Sequence, residues 1–297
     1  MRNTLVIGII GVLLSCGGLA QANAWTTLDY PGASVTNLTG ISGSKIVGYA
    51  NRHGIIYDTT AQSWATLDAP GALSTEIDDI DGSIYAGKYY DASGTEHGFL
   101  YNGTNWITFN VPGDRLNIGG ISGRTIAGDY RVGSTGNPCF LYDGTTFTYF
   151  TVPLGGLSNI NGIDGSNLVG TYSNHSHGFF YDGITWNTLD VPSIGGTIPV
   201  LSTPMDIDGK NIVGYFQDMS QIDTTFKGFL YDGANWAIIE IPGARNTRVT
   251  GIDGTILVGY YMDTSYNTHG FSYTIPEPAT ALLLGLGMML VRKNLPK

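Results

Sequence analysis

A unit of about 41 residues recurs six times in the middle of this 297-residue chain, and this repetition restricts the fold more than any other feature. Each copy reads Trp-x-Thr-Leu-Asp-x-Pro-Gly, Gly-Ile-(Asp/Ser)-Gly, Ile-Val-Gly-x-Tyr and His-Gly-Phe-Leu-Tyr-Asp-Gly in turn. Successive copies are 39, 42, 41, 39 and 50 residues apart, and the last spacing includes an insertion around Ser193 to Met205. The copies begin at Trp25, Trp64, Trp106, Phe147, Trp186 and Trp236. The fold must therefore be assembled from six equivalent units.

Each unit is predicted to contain four short β-strands and no helix. No apolar period of 3.6 residues is sustained between residues 25 and 275, where Gly, Thr and Tyr are abundant. Two turns recur: Asp-Gly or Ser-Gly before the Ile-Val-Gly segment, as at Ser42-Gly43, and Asp-Gly before the next Trp, as at Asp143-Gly144. Asp-Gly between apolar segments is typical of type I′ hairpin turns, whose two central residues need positive φ. The repeat region is therefore predicted to be all-β.

Six units of four strands favour a six-bladed β-propeller, in which each unit supplies one blade. Bulky apolar residues such as Trp64 and Leu67 fall on opposite faces of a strand, as expected when neighbouring blades bury both faces. A β-solenoid is the alternative, although its coils are usually shorter than these units. In a propeller each blade would run from Gly-Ile at the centre to Trp-Thr-Leu at the rim. The last copy lacks its Trp strand, so Trp25 to Tyr30 is predicted to supply it and close the ring.

The units resemble the HAF extracellular repeat family, whose pattern is Gly-Ile-Asn, Val-Val-Gly-Tyr and His-Ala-Phe-Leu-Trp. This chain has Gly where that pattern has Ala, as at Gly98, and Tyr where it has Trp, as at Tyr101. The resemblance covers residues 25–275 and implies an extracellular location. It implies no particular ligand, because the family is defined by its repeats and not by an activity.

Residues 1–24 have the layout of a secretory signal peptide. A single basic residue, Arg2, precedes the apolar run Leu5 to Leu14, which is too short to span a membrane permanently. Small residues at Ala22 and Ala24 suit signal peptidase, so cleavage is predicted after Ala24. An alternative stays open, because Cys16 lies in a loose lipoprotein pattern and would then be acylated.

Residues 276–297 resemble the PEP-CTERM sorting signal of Gram-negative bacteria. The motif Pro276, Glu277 and Pro278 is followed by the apolar run Ala279 to Val291 and then by the basic pair Arg292-Lys293. The resemblance implies a short transmembrane sorting helix that an exosortase in the inner membrane recognises and then removes or exchanges. The apolar run is short for a bilayer, although the basic side chains that follow it can snorkel to the interface.

Charge and cysteine content exclude some roles. Residues 25–275 carry 10 basic and 23 acidic side chains, a surface that repels phosphate backbones, so nucleic acid is not expected as a partner. After cleavage of the signal, Cys139 would remain alone and could form no internal disulfide. The exported fold is therefore predicted to depend on packing and backbone pairing.

Two polar positions recur in the repeat. Because different blades hold equivalent residues too far apart to share one metal ion, the recurrent histidine is predicted to have a structural role at a strand start. It occupies His53, His97, His177 and His269. The aspartate of the Trp segment, as in Asp29, Asp68 and Asp190, becomes Asn110, Thr151 and Glu240 elsewhere, which a strand-end hydrogen-bonding position tolerates. No catalytic residue, cofactor-binding residue or metal ligand is predicted from these patterns.

Two acidic segments and one aromatic position are weaker candidates. Asp91 to Glu96 alternates oxygen-bearing residues as calcium loops do, but it is out of register with an EF-hand loop. Asp78-Asp79-x-Asp81 is a better cation candidate, with a solvated turn as the favoured interpretation. An aromatic residue follows the Ile-Val-Gly segment in five copies and could stack on a sugar ring, although blade packing is favoured. These aromatic residues are Tyr89, Tyr130, Tyr172, Phe216 and Tyr261.

The sequence favours an exported, exosortase-sorted surface or extracellular-matrix protein of a Gram-negative bacterium, transiently anchored in the inner membrane through its C-terminal segment, with a non-catalytic binding or structural role. The alternative is a secreted polysaccharide-active propeller enzyme, a lyase or hydrolase. An enzyme should break the repeat symmetry with unlike acid and base groups. The largest break, the insertion from Ser193 to Met205, contains no acidic residue.

The expected partners are signal peptidase and an exosortase during export, and a polysaccharide or surface-protein ligand afterwards. Binding is predicted on the loops between the Ile-Val-Gly and His-Gly-Phe segments, because their length and composition vary while the strands do not. These loops are Asp91 to Glu96, Val132 to Asn137, Gln217 to Phe226 and Asp263 to Thr268.

Overall fold

The computed structural model describes residues 25–133, 137–194, 196–220 and 225–275, which form 24 strands in six antiparallel sheets of four. Strand β1 spans Trp25–Thr27. Blades one to three contain β2 (Asn37–Ser42), β3 (Lys45–Ala50), β4 (His53–Asp58), β5 (Ser63–Thr66); β6 (Ser74–Asp81), β7 (Ile84–Tyr90), β8 (Glu96–Tyr101), β9 (Trp106–Phe109); and β10 (Arg115–Ser122), β11 (Thr125–Arg131), β12 (Cys139–Tyr142), β13 (Phe147–Phe150). Blades four to six contain β14 (Asn159–Asp164), β15 (Asn167–Tyr172), β16 (His177–Tyr181), β17 (Trp186–Thr188); β18 (Pro199–Asp208), β19 (Asn211–Asp218), β20 (Thr225–Tyr231), β21 (Trp236–Ile239); and β22 (Asn246–Asp253), β23 (Ile256–Met262), β24 (Thr268–Thr274), with β1 as the fourth strand.

The blades form a closed ring, and the N-terminal strand completes it as the repeats predicted. Strand β1 pairs antiparallel with β24, so that Thr27 lies opposite Phe271. The N–H of Leu28 extends this pairing by donating to the Gly270 carbonyl at 2.8 Å. The first strands of the blades contact one another in cyclic order, and β22 returns to β2. The protein is therefore an all-β six-bladed propeller with its first strands innermost, and the solenoid alternative is wrong.

Six hairpin turns join the first and second strands of the blades. In blade one Ser42 pairs with Lys45, so the two turn residues are Gly43 and Ser44. Gly43 has φ +57° and is the one residue of this turn with a positive φ, as in type II′ turns that place glycine first. The prediction of a type I′ turn centred on Ser42-Gly43 is therefore wrong. The serine or aspartate ends the strand instead, and its side chain is available for another contact.

Every first strand carries a β-bulge at the same position. The register of β2 against β3 shifts between Leu38 and Gly40, which leaves Thr39 as the extra residue, and the other five blades show the same shift. A Cβ on Gly48, which lies across from the bulge, would overlap the carbonyl oxygen of Asn37. The glycine of the Ile-Val-Gly segment is therefore required by the bulge, which turns an additional residue of each blade toward the axis.

The turns before the outermost strands are longer than the sequence predicted. Tyr142 pairs with Phe147, so the turn that contains Asp143 has four residues rather than two. The Oδ1 atom of Asp143 accepts the N–H groups of Thr145 at 2.8 Å and Thr146 at 2.7 Å. The aspartate of this turn therefore acts as an Asx cap and does not need positive φ.

The hydrophobic core of the described residues is divided into six clusters, one between each pair of neighbouring blades. The third strand of each blade supplies a fully buried side chain to its centre. These side chains are Ile55, Phe99, Phe140, Phe179, Phe229 and Phe271. The outer-strand tryptophan covers the phenylalanine, with ring centroids 4.9 Å apart for Phe99 and Trp106. Cys139 is a buried free thiol in β12, so packing of this kind holds the blades together.

The insertion of the fifth copy lengthens the innermost hairpin of its blade. Strand β18 has 10 residues, and its register against β19 shifts a second time between Pro199 and Leu201. Ile198 and Val200, at the start of this hairpin, are 54% and 45% exposed. The insertion is therefore part of the propeller.

Both predicted sorting segments lie outside the described residues. They are residues 1–24, with Cys16 and the cleavage position Ala24, and residues 276–297, with Pro276, Glu277 and Pro278. Within the described part of the chain, no helix is long and apolar enough to cross a membrane.

Candidate functional site

One end of the central channel, which we call the turn end, is surrounded by the six hairpin turns. The residue before each turn glycine accepts a hydrogen bond from the turn glycine of the next blade. The Oγ atom of Ser42 accepts the N–H of Gly82 at 2.9 Å, and the Oδ2 atom of Asp253 accepts that of Gly43 at 2.5 Å, which joins the last blade to the first. Asp81, Ser122, Asp164 and Asp208 complete the set. The Asp-Gly and Ser-Gly pairs of the repeat thus link all six blades.

Below the turn end the six first strands converge at a level that we call the waist. Its six equivalent positions hold four glycines and two aspartates: Gly40, Asp79, Gly120, Gly162, Asp206 and Gly251. A Cβ on Gly251 would lie 3.0 Å from the Gly40 Cα, and a Cβ on Gly40 would overlap Oδ1 of Asp79. Asp79 and Asp206 belong to blades two and five, which face each other across a six-membered ring. The glycines therefore leave the space that the two carboxyl groups occupy.

The two waist carboxyl groups have backbone partners and repel each other. Asp79 Oδ2 accepts the N–H of Ile121 at 2.8 Å, and Asp206 Oδ2 accepts the N–H of Ile252 at 2.8 Å. Burial raises the pKa of Asp206 to about 7, and burial followed by the negative charge of Asp206 raises the pKa of Asp79 well above its ordinary value. Both residues line the spaces on either side of the waist, so they separate the two halves of the channel.

Beyond the waist the channel widens into a cavity of about 170 Å³, which we call the central cavity. Such a volume holds about six water molecules or one small polar ligand. The first strands contribute Asn37, Thr39, Glu76, Asp78, Asn117, Ile118, Gly119, Asn161, Met205 and Thr250, the second strands contribute Tyr49, Lys88 and Tyr260, and Asp79 and Asp206 form the floor. Equivalent positions hold unlike residues from blade to blade. The central cavity therefore breaks the repeat symmetry that the turn end preserves.

The bulge residues show how the blades differ at this end. Three of them donate to a carbonyl group of the next blade: Thr39 to Ile77 at 2.7 Å, Asn161 to Pro204 at 2.8 Å, and Thr250 to Leu38 at 2.7 Å. In the other three blades the equivalent residues are Asp78, Gly119 and Met205. The side chain that links neighbouring blades is therefore missing or replaced at half of the positions, which leaves polar groups free to face the cavity.

Asp78 is the least compensated polar group of the central cavity. Within the described part of the chain, its Oδ2 atom is buried and has no hydrogen-bond partner. Burial raises the pKa of Asp78 to about 7, although the positive charge of Lys88 lowers it. Lys88 itself lies 3.3 Å from the carboxylate of Glu76. A carboxyl group that titrates near neutrality in a cavity is a candidate for function. The expectation of a solvated turn at Asp78 and Asp79 is wrong, because both lie within β6.

A basic and aromatic group contacts Tyr260, which lines the cavity. The Arg248 guanidinium lies 4.3 Å from the ring centre of Phe226 and 4.7 Å from that of Tyr215, and it donates to the Tyr260 hydroxyl at 3.1 Å. Cation–π contacts of this kind fix both the cation and the rings. Sequence reasoning missed this group, although Tyr215 and Tyr260 share the repeat position of Tyr49, directly after the glycine of the Ile-Val-Gly segment. The residue that joins them, Arg248, occurs in one blade only and gives no signal in the repeat pattern.

The recurrent histidines do not meet in the structure. Each lies at the start of a third strand and pairs with the end of the fourth strand of its own blade, as the prediction of a structural role required. The Nδ1 atoms of His53, His177 and His269 lie 2.7, 2.7 and 2.8 Å from Asp68, Asp190 and Asp29, and that of His97 lies 2.6 Å from Asn110. Lys227 replaces the histidine in blade five and pairs with Glu240 at 2.7 Å. In blade five both members of the pair are exchanged together, His for Lys227 and Asp for Glu240, and this paired exchange is visible in the sequence.

The recurrent aromatic residues pack in the clusters between blades, as favoured over sugar stacking, and they also contact residues of their own blade. Tyr89 stacks on His97 with ring centroids 5.0 Å apart, and its hydroxyl lies 3.3 Å from that of Thr108. Tyr172 and Tyr261 make the equivalent contacts, and Phe216 is fully buried.

The variable loops form only the edges of two spaces between blades. The ends of the first and third predicted loops line pockets of about 430 Å³ between blades two and three and about 420 Å³ between blades five and six. Glu96 accepts hydrogen bonds from Tyr90 and from the N–H of Leu116, and Lys227 is paired with two carboxylates. Asp91, in the loop that resembled a calcium site, accepts the N–H groups of Ser93 and Thr95. The charged groups that the structure describes in and beside these loops are therefore already engaged by the protein.

No protein-family model matches this chain, and no curated protein matches it. Among solved structures, the β-propeller domain of the Trilobed protease from Pyrococcus furiosus is similar at 12% identity and a TM-score of 0.49, over 80% of this chain and 78% of that one. The Aleuria aurantia lectin in complex with alpha-methyl-L-fucoside is similar at 9% identity and a TM-score of 0.48, over 83% of this chain and 93% of that one. At such identities the likeness concerns the fold alone.

Proposed function

We propose that this protein is an exported, exosortase-sorted surface or extracellular-matrix protein that binds a hydroxyl-rich ligand, such as one unit of a polysaccharide, in its central cavity without converting it. The observation that carries the proposal is the lining of that cavity. It is polar and differs from blade to blade, on a scaffold that otherwise repeats. Binding sites are concave and hold a few convergent polar groups, and the central cavity combines both properties with a buried carboxyl oxygen of Asp78 that has no hydrogen-bond partner in the described residues.

The chemistry of the lining suits sugar hydroxyl groups, which both donate and accept hydrogen bonds. Asn37 supplies an amide, Asp78 a partnerless carboxyl oxygen, and Tyr49 a hydroxyl whose pKa burial raises to about 12, so that it remains a donor. Tyrosine rings also offer flat apolar surfaces. The cavity volume limits the bound group to a single small unit, such as a chain end or a branch.

The binding proposal is tested with a matched pair of tyrosine variants. Tyr49→Phe removes a cavity hydroxyl for which no partner is seen in the described structure, whereas Tyr89→Phe removes one that lies beside Thr108 outside the cavity. Calorimetric titration with exopolysaccharides and their oligosaccharides should show saturable binding by the natural protein. Affinity should fall by about threefold to tenfold in Tyr49→Phe, as loss of one hydrogen bond predicts, and stay unchanged in Tyr89→Phe. Equal affinities in both variants would place the ligand elsewhere.

The location is supported by the resemblance to HAF repeats and to the PEP-CTERM signal. We expect signal peptidase to cleave after Ala24 and an exosortase to act at Pro276, Glu277 and Pro278. Intact mass measurement of native extracellular material should give a chain that begins at Trp25 and lacks residues 279–297. An extracellular chain that retains those residues would contradict the sorting proposal.

A polysaccharide-active enzyme is the second candidate, and Asp78 is the observation that favours it. A buried carboxyl group with a pKa of about 7 can act as a general acid at neutral pH, and Lys88 lies in the same cavity. The release of new reducing or unsaturated ends from an exopolysaccharide distinguishes the two functions. Turnover that Asp78→Asn abolishes would establish the enzyme, and binding without turnover would support the first proposal.

A further inference from the structure

We propose that the waist is a cation site, in which Asp79 and Asp206 hold a hard divalent cation of the Ca²⁺ and Mg²⁺ class on the axis of the ring. The two carboxyl groups come from opposite blades, and four glycines at the equivalent positions leave room for them. Each carboxyl group accepts backbone N–H groups from its own blade and from the next one. Carboxylates have about four lone-pair sites, so each retains acceptor capacity after these bonds.

The second observation is the partnerless oxygen of Asp78. This atom is buried at the wall of the space whose floor is formed by Asp79 and Asp206. A buried polar atom without a partner requires a ligand or an ordered water in most proteins. It is also independent of the waist pair, because it belongs to the bulge position above the waist. A water molecule of a hydrated cation would satisfy it.

The approach to the waist has the charge that a cation needs. The space on the turn-end side is lined by Asp79 and Asp206 together with the turn-end carboxyl groups Asp81, Asp164, Asp208 and Asp253. Six carboxyl groups around one opening attract cations, and low-dielectric walls strengthen their field. The basic group of the central cavity, Lys88, lies beside Glu76 on the other side of the waist.

The ligand set defines the kind of cation. Within the described ranges, no three residues among His, Cys, Asp and Glu come together as metal ligands, so the protein supplies two carboxylates. Mg²⁺ is usually held by one or two carboxylates while it keeps several waters, and Ca²⁺ also accepts carboxylate, carbonyl and water oxygens. The absence of sulfur and imidazole from the waist positions disfavours zinc and copper. The central cavity has room for the remaining waters.

The inference does not depend on a polysaccharide ligand, so its test uses metal alone. The full chain is stripped with EDTA and titrated with Mg²⁺ and Ca²⁺ by calorimetry, and Mn²⁺ uptake is followed by electron paramagnetic resonance. We expect one saturable site per chain. The double variant Asp79→Asn/Asp206→Asn should lose it, with affinity falling by about tenfold or more, because two neutral amides replace both charged ligands. The exposed turn variant Asp182→Asn serves as the control and should bind as the natural protein does.

Thermal melting of the unsubstituted protein gives a readout that needs no variant. A cation that binds the folded state alone raises the melting temperature progressively with its concentration, and K⁺ at equal ionic strength should not. A natural protein that shows neither saturable uptake nor a specific rise in melting temperature would overturn the proposal. Uptake that persists in the double variant would also overturn it.

Discussion

The turn end and the central cavity are built from the same six strands, yet they follow different rules. At the turn end every blade presents Asp or Ser before a glycine, and every such side chain makes the same bond to the next blade. A few residues earlier on each strand, the bulge positions hold Thr39, Asp78, Gly119, Asn161, Met205 and Thr250. Three of these link neighbouring blades and three do not.

This difference distinguishes the residues that link neighbouring blades from the residues that are available for function. A closed ring needs the same joint six times, because a single weak interface opens the whole ring. The turn-end bonds and the hydrophobic clusters recur at every interface, so the opposite end of each strand can vary without loss of closure. Unlike residues at that end then bring acid, amide, amine and phenol groups to one cavity. The regular end therefore holds the propeller together, and the irregular end can carry the chemistry.

The largest expected effect tests the closure of the ring. Deletion of Trp25 to Pro31 removes β1, the buried Leu28 and the pairing of Asp29 with His269. We expect the free energy of unfolding to fall by roughly 3–5 kcal/mol, since blade six loses its outer strand and a core side chain. Urea denaturation measures this. Thr26→Ala, an exposed position on the same strand, should change stability by less than about 0.5 kcal/mol. An unchanged unfolding midpoint after the deletion would refute closure by β1.

The second prediction concerns the pH dependence of the waist. Burial raises the pKa of Asp206 from 3.8 to about 7, so between these pH values the unfolded chain releases a proton that the folded chain retains. In metal-free buffer the free energy of unfolding should therefore decrease as pH rises from 4 to 7. Asp206 is partly reached by solvent through the cavity, which reduces the effect. Between pH 5 and 7 we expect the natural protein to lose about 1–2 kcal/mol more than Asp206→Asn.

Asp182→Asn is the control for that slope. Backbone N–H groups, first that of Thr185, and the Thr185 hydroxyl lower the pKa of Asp182, so this exposed carboxylate stays ionised in both states across the same window. Its substitution should leave the slope between pH 5 and 7 as it is. Chemical denaturation at several pH values gives both slopes, and parallel slopes for Asp206→Asn and the natural protein would contradict the account of the waist.

The sequence predicted the regular features of this molecule better than the irregular ones. Six copies of four segments were enough for the number of blades and the strand order, because each of these is encoded six times. The missing Trp strand of the last copy was enough for the closure by Trp25. The turn type predicted for Ser42-Gly43 is wrong, because Ser42 ends a strand and its side chain bonds to the next blade. The central cavity could not be predicted, because Asp78 and Lys88 each occur in one blade, and the ring alone brings them together with residues of other blades such as Tyr260.

The third prediction tests the regularity of the turn end. Asp208→Ala and Asp253→Ala each remove the acceptor of one turn-glycine N–H, from Gly254 and Gly43 respectively. Both bonds are at the exposed end of the channel, so we expect losses of about 1 kcal/mol that are equal within about 0.5 kcal/mol. Asn substitutions keep an acceptor and should restore most of the loss. Unequal losses in urea denaturation would show that the six joints are not equivalent.

The smallest expected effect concerns the repeated histidines, which are regular in sequence but take no part in either end of the channel. His177 pairs with Asp190 at 2.7 Å, and the two side chains are 47% and 38% exposed, so water competes for both groups. Exposed pairs of this kind contribute little, and His177→Gln should lower the free energy of unfolding by less than about 0.5 kcal/mol.

Lys227→Met is the contrasting variant. It removes the cation beside the side chain of Asp218, which has no solvent exposure, and the free energy of unfolding should fall by about 1–3 kcal/mol. Urea denaturation of both variants, with metal content measured in parallel, tests this ranking. If His177→Gln bound less metal than the natural protein, the recurrent histidines would have to share a metal ion. Their separate pairings exclude this.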